Sequence, residues 1–247
     1  MSPVDCIFLD PARRNEHGGK TVAISDCEPN VAELEGLLLS KANRIMIKLS
    51  PMLDLSQALK ELPHTQEVHI ISVNNECKEL LLLLGQTAPE EIPVHCVNLS
   101  TKGEQEKQLF VFTREQEQHS ECSYTDTLGN YLYEPNASLL KAGAFRSIAA
   151  AYSVKKLHPN SHLYTSDTQI EGFPGRTFRI INRCSLNKKE IKENLSDLKK
   201  ANITVRNFPA TVAELRKRIK LAEGGDTYLF ASTLNDGQKI LIRCGKV

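Results

Sequence analysis

With 247 residues, 40% of them hydrophobic and 25% charged, the chain has a globular composition and is long enough to bury a core without disulfide or metal staples. No apolar run approaches the ~20 residues of a membrane span, and the first residues lack a basic-then-apolar signal pattern, so a cytoplasmic location is expected. The net charge of +1 conceals opposite halves: Arg176 to Val247 holds 16 Lys and Arg against 7 Asp and Glu, the preceding residues 15 against 23. A basic tail suits a polyanionic partner and equally suits a dock for the acidic front of its own chain. The seven cysteines are scattered, with no C-x-x-C pair, which predicts reduced thiols and neither a disulfide frame nor a zinc site.

In chain order, Val4 to Leu9 (VDCIFL) is a short apolar run ending in Asp-Pro and reads as a strand of a covered parallel sheet. A helix follows over Pro29 to Ser40, with Val31, Leu34, Leu37 and Leu38 on its apolar stripe. Next come a strand at Arg44 to Leu49, a short helix at Leu55 to Leu62, a strand at Glu67 to Val73 and a third helix at Glu76 to Leu84. Val94 to Leu99 and Gln108 to Thr113, joined by the polar TKGEQEK, read as a terminal antiparallel pair. Strands alternating with helices predict an α/β fold.

Arg114 to Asp126 is polar and weakly patterned, as in a linker. Asn136 then caps a helix predicted to run to about Tyr152, with a stop at His158-Pro159. The basic tail alternates again: strand Phe178 to Arg183, helix Lys188 to Lys200, strand Ile203 to Asn207, and a helix opened by the capping-box spacing of Thr211 and Glu214. It closes on a hairpin, Tyr228 to Thr233 and Lys239 to Cys244, around Asn235-Asp236-Gly237. The result is a β-α-β-α-β-β module.

Ligands of open parallel sheets bind beyond the carboxyl ends of strands, so the strand exits are the candidate sites. They are Asp10-Pro11-Ala12-Arg13-Arg14 with the adjoining Gly18-Gly19, Ser50-Pro51-Met52, and Asn74-Asn75-Glu76-Cys77. Pro11 forces Asp10 into an extended conformation that holds its carboxylate over the strand end, where it could orient an amine or a cationic methyl donor; capping the next turn is the competing role. In His158-Pro-Asn-Ser-His162, Pro159 disrupts the helix that would align two imidazoles, and no metal site is expected. Arg216-Lys217-Arg218 and Lys220 end a helix, where cations favour the macrodipole or bind phosphate; the charge of the tail favours phosphate.

The run VDCIFLDPAR resembles the fourth-strand motif of class I S-adenosylmethionine-dependent methyltransferases, of the Asp-Pro-Pro-Arg kind seen in RNA enzymes. Together with IKLSPMLD, SVNNECKELLLLL, YLYEPNASLLKAGAF, KLHPNSHLYTSD, FPGRTF and ITVRNFPATVAELRKR, it is similar to the C-terminal part of bacterial proteins of that class that end in ferredoxin-like and THUMP-like domains. The resemblance implies the C-terminal half of a Rossmann-like methyltransferase domain over residues 1–114, a linker at 115–128, a ferredoxin-like segment at 129–174 and a THUMP-like domain at 175–247. It implies methylation of RNA, with tRNA or another structured RNA as partner and S-adenosylmethionine as cofactor. Asp10 and Pro11 would orient the reacting group, and Arg13, Arg14, Lys48, Asn74 and Asn75 would hold substrate. Arg206, Arg216, Lys217, Arg218 and Lys220 would dock the RNA.

The chain departs from that pattern in informative places. Neither Gly18-Gly19 nor Gly224-Gly225 forms the Gly-rich turn of a cofactor site, so that site is expected to be incomplete and S-adenosylmethionine binding weak. The Lys48-Leu49-Ser50-Pro51 exit lacks the nucleophilic thiol of uridine C5 enzymes, and Cys77 reads as a buried inert thiol. Ala12 and Arg13 stand where exocyclic-amine enzymes carry a stacking aromatic. A non-catalytic RNA-binding or interaction protein using the half sheet as scaffold is the alternative. The first strand, expected to be central, needs a neighbour, which a homodimer or an added segment is expected to supply.

Overall fold

A computed structural model describes residues 4–13, 23–101 and 107–247. Arg14 and the Gly18-Gly19 pair lie outside the described residues. Two compact units form, one comprising the chain up to His119 together with Asn136–Ala144, the other Ser120–Pro135 with Phe145–Val247.

The first unit contains β1 (Val4–Leu9), β2 (Ala12–Arg13), β3 (Cys27–Glu28), α1 (Val31–Leu39), β4 (Ala42–Leu49), α2 (Leu55–Glu61), β5 (Thr65–Val73), β6 (Glu76–Gly85), β7 (Pro93–Leu99), β8 (Lys107–Thr113) and α3 (Arg114–His119). Six strands form a sheet in the order β1-β4-β6-β5-β7-β8, and β2 and β3 make a small separate ribbon. β1 pairs parallel with β4 and β5 parallel with β7, whereas β6 runs antiparallel to both β4 and β5. The expected antiparallel pairing of the last two strands forms between β7 and β8. Asn30 caps α1 and Asp54 caps α2, each accepting a backbone N–H of the first turn, as short polar side chains at N-caps do.

The predicted helix at Glu76 to Leu84 is instead strand β6. Asn74 and Asn75 take left-handed φ values of 51° and 64°, and Val73 faces Glu76, so a two-residue hairpin turn replaces the expected strand-to-helix exit. The leucine run hid this, because Leu80, Leu82 and Leu84 are fully buried while Leu81 and Leu83 are half-buried on the other face. An apolar residue at every position erases the alternation that marks a strand. In α1 the buried stripe is Val31, Glu35 and Leu39, and Leu37 is 58% exposed. Glu35 occupies the inner position because its carboxylate accepts the His64 backbone N–H at 3.2 Å.

One face of this sheet is closed and the other is open. Ile45, Ile47, Val68, Ile70, Leu82, Val94 and Cys96 are buried, and α4 (Ala137–Ala142) packs on β5, β6 and β7 while α1 packs on β4. The alternate residues, among them Met46, His69, Ile71, Leu81, His95 and Val97, are half-exposed. On the outer strands Phe8 reaches 57% exposure, Leu109 48% and Val111 43%. Among the described residues β1 has a strand neighbour only on its β4 side.

The stretch expected as a linker begins with helix α3, because Thr113 and Gln116 form a reciprocal capping box: each side chain accepts the other's backbone N–H, at 3.2 and 2.9 Å. The long helix predicted from Asn136 is broken in two. Gly143 adopts φ 76° and closes α4 in the left-handed conformation that favours glycine, and α5 (Ser147–Tyr152) starts afresh.

The second unit adds β9 (Tyr131–Pro135), β10 (Lys155–Lys156), β11 (Tyr164–Ser166), β12 (Gly175–Cys184), α6 (Lys188–Leu195), β13 (Asn202–Val205), α7 (Val212–Ile219), β14 (Thr227–Thr233) and β15 (Lys239–Lys246). They build one sheet in the order β10-β11-β9-β12-β15-β14-β13. The predicted β-α-β-α-β-β order appears as β12-α6-β13-α7-β14-β15, and β12 also pairs antiparallel with β9. Residues on both sides of Gly175 therefore share a continuous sheet. Phe178, Phe230, Leu132 and Ile242 fill its one side, and Leu195, Leu215, Leu229 and Leu241 fill the other beneath α6 and α7. The Thr211 and Glu214 capping box forms as predicted, and Gly237 at φ 87° turns the final hairpin.

Two measurements check this architecture. Leu82→Ala, which empties a fully buried position of β6, is expected to cost about 2–5 kcal/mol in urea unfolding. His162 has φ 51° and stacks on Phe145 with ring centroids 3.7 Å apart. Burial, then the charges of Lys156 and Arg206, holds its imidazole down to about 4. The unfolded chain takes up that proton first, so His162 is expected to make stability fall as pH drops from about 6.5 to about 4. His162→Asn, which tolerates the left-handed backbone, should flatten that acid limb.

Candidate functional site

The parallel pair β1 and β4 ends in a shared cleft of about 360 Å³, lined by Asp10, Pro11, Ala12, Cys27, Lys48, Ser50, Lys78 and Glu79 among others. Pro11 is buried and directs the chain from Asp10 into β2, where the Ala12 and Arg13 backbones pair with Glu28 and Cys27. Asp10 is exposed at the strand end and its Oδ2 lies 2.7 Å from Lys48 Nζ; Glu79 Oε2 lies 3.8 Å from the same ammonium. The hydrogen bond that Lys48 donates to Asp10, reinforced by the charge of Glu79, raises Lys48 above its ordinary pKa against the effect of partial burial. Lys78 pairs with Glu76 at 2.7 Å on the rim. The cleft thus presents carboxylates balanced by ammonium groups, an arrangement that orients a polar ligand by paired hydrogen bonds.

The structure brings Asp10, Pro11 and Lys48 together in one cleft. Arg13 contributes its backbone to β2, and Arg14 lies outside the described residues. Asn74 and Asn75 are committed elsewhere. Asn74 donates to Thr101 Oγ1 at 2.9 Å and accepts the Thr101 N–H at 3.0 Å, while Asn75 accepts the Ala137 N–H at 2.8 Å. They link the hairpin turn to Thr101 and to the start of α4. Glu79 and Lys78 were missed because the reading of Glu76 to Leu84 as a helix removed them from the strand end.

Cys77 is half-buried on β6, and burial raises its thiol. Burial likewise pushes Cys184 up to about 11 and Cys244 up to about 12. His158 Nδ1 accepts the Asn160 backbone N–H at 3.0 Å and lies 3.0 Å from Asn207 Nδ2, whereas His162 stacks on Phe145.

In the second unit a buried carboxylate that sequence reading did not select organises the basic residues. Glu134 on β9 is 1% exposed. It accepts from Arg176 Nε at 2.9 Å and is also paired with Arg176 Nη2, while Arg206 Nη2 donates to its other oxygen at 2.8 Å. Arg176 in turn lies over the rings of Phe178 and Tyr228, at 5.4 and 6.0 Å. Arg206 is therefore tied to Glu134. No local pattern marks this triad, since its members are far apart in the chain.

The other predicted basic residues lie on the helical face. Lys217, Arg218 and Lys220 are exposed at the end of α7, and Lys188, Lys189 and Lys192 are exposed on α6. Arg218 donates to the Leu186 carbonyl at 2.8 Å, which brings the end of α7 beside the start of α6. Arg216 is drawn inward, donating to the Ala201 carbonyl at 3.2 Å. Several acids of the tail are spent internally: Glu214 caps α7, Glu190 accepts the Ser185 N–H, and Asp197 pairs with Arg243. Hydrogen bonds from the Thr211 backbone and hydroxyl hold Glu214 below its ordinary range, and Arg243 does the same to Asp197. The exposed lysines consequently dominate this face.

The chain is a mixed α/β protein, and two of its stretches match known families. Residues 131–174 match the profile of a ferredoxin-like domain and residues 175–246 that of a THUMP domain-like family. Over 98% of its length the chain is similar to a crystal structure named "putative methyltransferase from Porphyromonas gingivalis W83", at 40% identity and a TM-score of 0.88. The match spans 60% of that chain. No curated protein gives a significant match. Among the described residues no helix is long and apolar enough to cross a membrane.

Two outcomes are expected. Replacing Glu134 by Ala strands two guanidinium groups and should lower stability by about 2–4 kcal/mol in urea unfolding, a value reduced from that of a fully buried pair because both arginines are partly exposed. In thiol titration with an aromatic disulfide, exposed Cys6 should react first, and buried Cys27, Cys96, Cys184 and Cys244 only after unfolding.

Proposed function

We propose that this chain supplies the substrate-facing part of an S-adenosylmethionine-dependent RNA methyltransferase, acting in the cytoplasm on tRNA or a similarly structured RNA. The observation that carries the reading is the likeness, over nearly the whole chain, to a protein named as a methyltransferase, joined to an exposed cationic face in the THUMP-like stretch. Residues 1–114 act as the methyltransferase part, 129–174 as the ferredoxin-like segment and 175–247 as the RNA-docking domain. Lys188, Lys189, Lys217, Arg218 and Lys220 meet phosphates, which bind clustered cations with release of counterions. In the cleft, Asp10 held by Lys48 orients the group to be modified, and Pro11 sets the carboxylate over the strand end.

The cleft around Asp10 and Lys48 has charged and small walls and no aromatic side chain against which an adenine ring would stack, so the described residues do not fit a nucleoside cofactor. The proposal assigns cofactor binding to a segment corresponding to the part of the Porphyromonas gingivalis chain that this match leaves uncovered. Such a segment, or a second copy of the chain, would pair with the outer edge of β1. The lack of an aromatic wall in the cleft favours a second reading, a non-catalytic RNA-binding protein with the sheet as scaffold.

The test is filter binding to tRNA over a salt series. Affinity should fall linearly with salt on logarithmic axes. The variant carrying Lys188→Glu, Lys189→Glu, Lys217→Glu and Lys220→Glu should bind at least tenfold more weakly with its circular dichroism unchanged. Binding equal to the parent would remove the RNA assignment. Calorimetry with S-adenosylmethionine on the 247-residue chain should show weak or no binding, and low-micromolar affinity would overturn the division of the cofactor site.

A further inference from the structure

The open face of the first sheet carries a cluster that neither the cleft nor the basic helices use. Glu67 and His69 are two apart on β5, and His95 of β7 stands directly across from His69 in the parallel register. Residues two apart on a strand share a face at roughly 6.6 Å, and adjacent strands lie about 4.8 Å apart, so three long side chains converge above one patch. The His69 and His95 rings stack, with centroids 4.4 Å apart and planes within 9°. His69 Nε2 lies 3.2 Å from Glu67 Oε2, and one ligand atom from each of the three residues falls within 4.8 Å of the others.

We infer that Glu67, His69 and His95 form a binding site for a divalent first-row transition ion, with two imidazole nitrogens and one carboxylate oxygen as ligands and a further position open to the outside. Tetrahedral zinc, with bonds of ~2.0–2.1 Å to nitrogen, separates its ligand atoms by about 3.3 Å. The Glu67 to His69 edge already has that length; the other ligand atoms, all within 4.8 Å, close by up to about 1.5 Å as side-chain rotations unstack the two rings and turn their nitrogens toward one point. All three residues are half-exposed, so these rotations meet no packed core. Apolar residues flank the pair: Leu81 of β6 faces His69 and Val111 of β8 faces His95. Imidazole nitrogen and carboxylate oxygen together suit zinc, cobalt, nickel or copper over magnesium or calcium, which prefer all-oxygen shells. The inference is independent of the proposed RNA chemistry.

The experiment uses the intact chain with any affinity tag removed and the metal stripped by chelator. Zn²⁺ titrated against a chromophoric chelator should bind one equivalent, and Zn²⁺ should raise the melting temperature. His69→Gln and His95→Gln should each weaken binding at least tenfold and Glu67→Gln by a similar factor, while Cys6→Ser, which removes the exposed thiol, leaves it unchanged. Co²⁺ should give the visible bands of a nitrogen- and oxygen-ligated ion. Absence of binding, binding that survives the His69→Gln/His95→Gln double variant, or a thiolate charge-transfer band with Co²⁺ would overturn the assignment. Circular dichroism of the apo variants matching the parent separates ligand loss from misfolding.

Discussion

The antiparallel insertion of β6 between β4 and β5 is the constraint on which the first unit depends. A parallel β4-β5 contact would need a crossover on one side and leave the leucines of 80–84 without a sheet. The hairpin at Asn74-Asn75 instead folds them straight back, and one face of the run closes the core while the other stays half-covered. This choice also sets the chemistry. It carries Lys78 and Glu79 to the end of β4, where they complete the cleft with Asp10 and Lys48, and it places β5 beside β7, which brings His69 opposite His95.

The second unit obeys a different constraint. A single sheet passes through two stretches that family comparison separates, because β12 pairs with β9 on one edge and β15 on the other. Glu134 fixes that junction by holding one arginine from β12 and another just beyond β13. A carboxylate so deeply buried persists only when paired, and Arg176 and Arg206 supply that pairing. The cationic face that remains belongs to α6 and α7, where helix caps and a local ion pair absorb the acids.

The fit between sequence and structure varies with the range of the interaction. The capping box at Thr211, the cap at Asn136 and the turn at Gly237 were legible because each is closed within a few residues. The capping box of Thr113 and Gln116 was equally local, yet the polar character of Arg114 to Asp126 masked it. The leucine run of β6 misled because helix and strand share a uniform apolar sequence, and α1 buried Glu35 while exposing Leu37 because the His64 backbone offered the acid a partner. In the site, Asp10 was selected from strand-exit logic and Lys48 as a charge for substrate, and it is the β1–β4 pairing that sets them 2.7 Å apart, whereas the side chains of Asn74 and Asn75 bond Thr101 and the Ala137 N–H, residues far along the chain.

The sequence by itself determined the α/β class, most strand positions, the caps, the split between an acidic front and a basic tail, and a resemblance later met by the ferredoxin-like and THUMP domain-like matches. Those properties follow from periodicity, composition and contacts a few residues long. Only the tertiary structure decided which strands are neighbours, and with that the cleft wall at Glu79, the Glu134 triad, the inward turn of Arg216 and the pairing of His69 with His95. The physical reason is register: which side chains meet across a sheet depends on how strands far apart in the chain align, and a shift of one residue would turn every one of them to the opposite face.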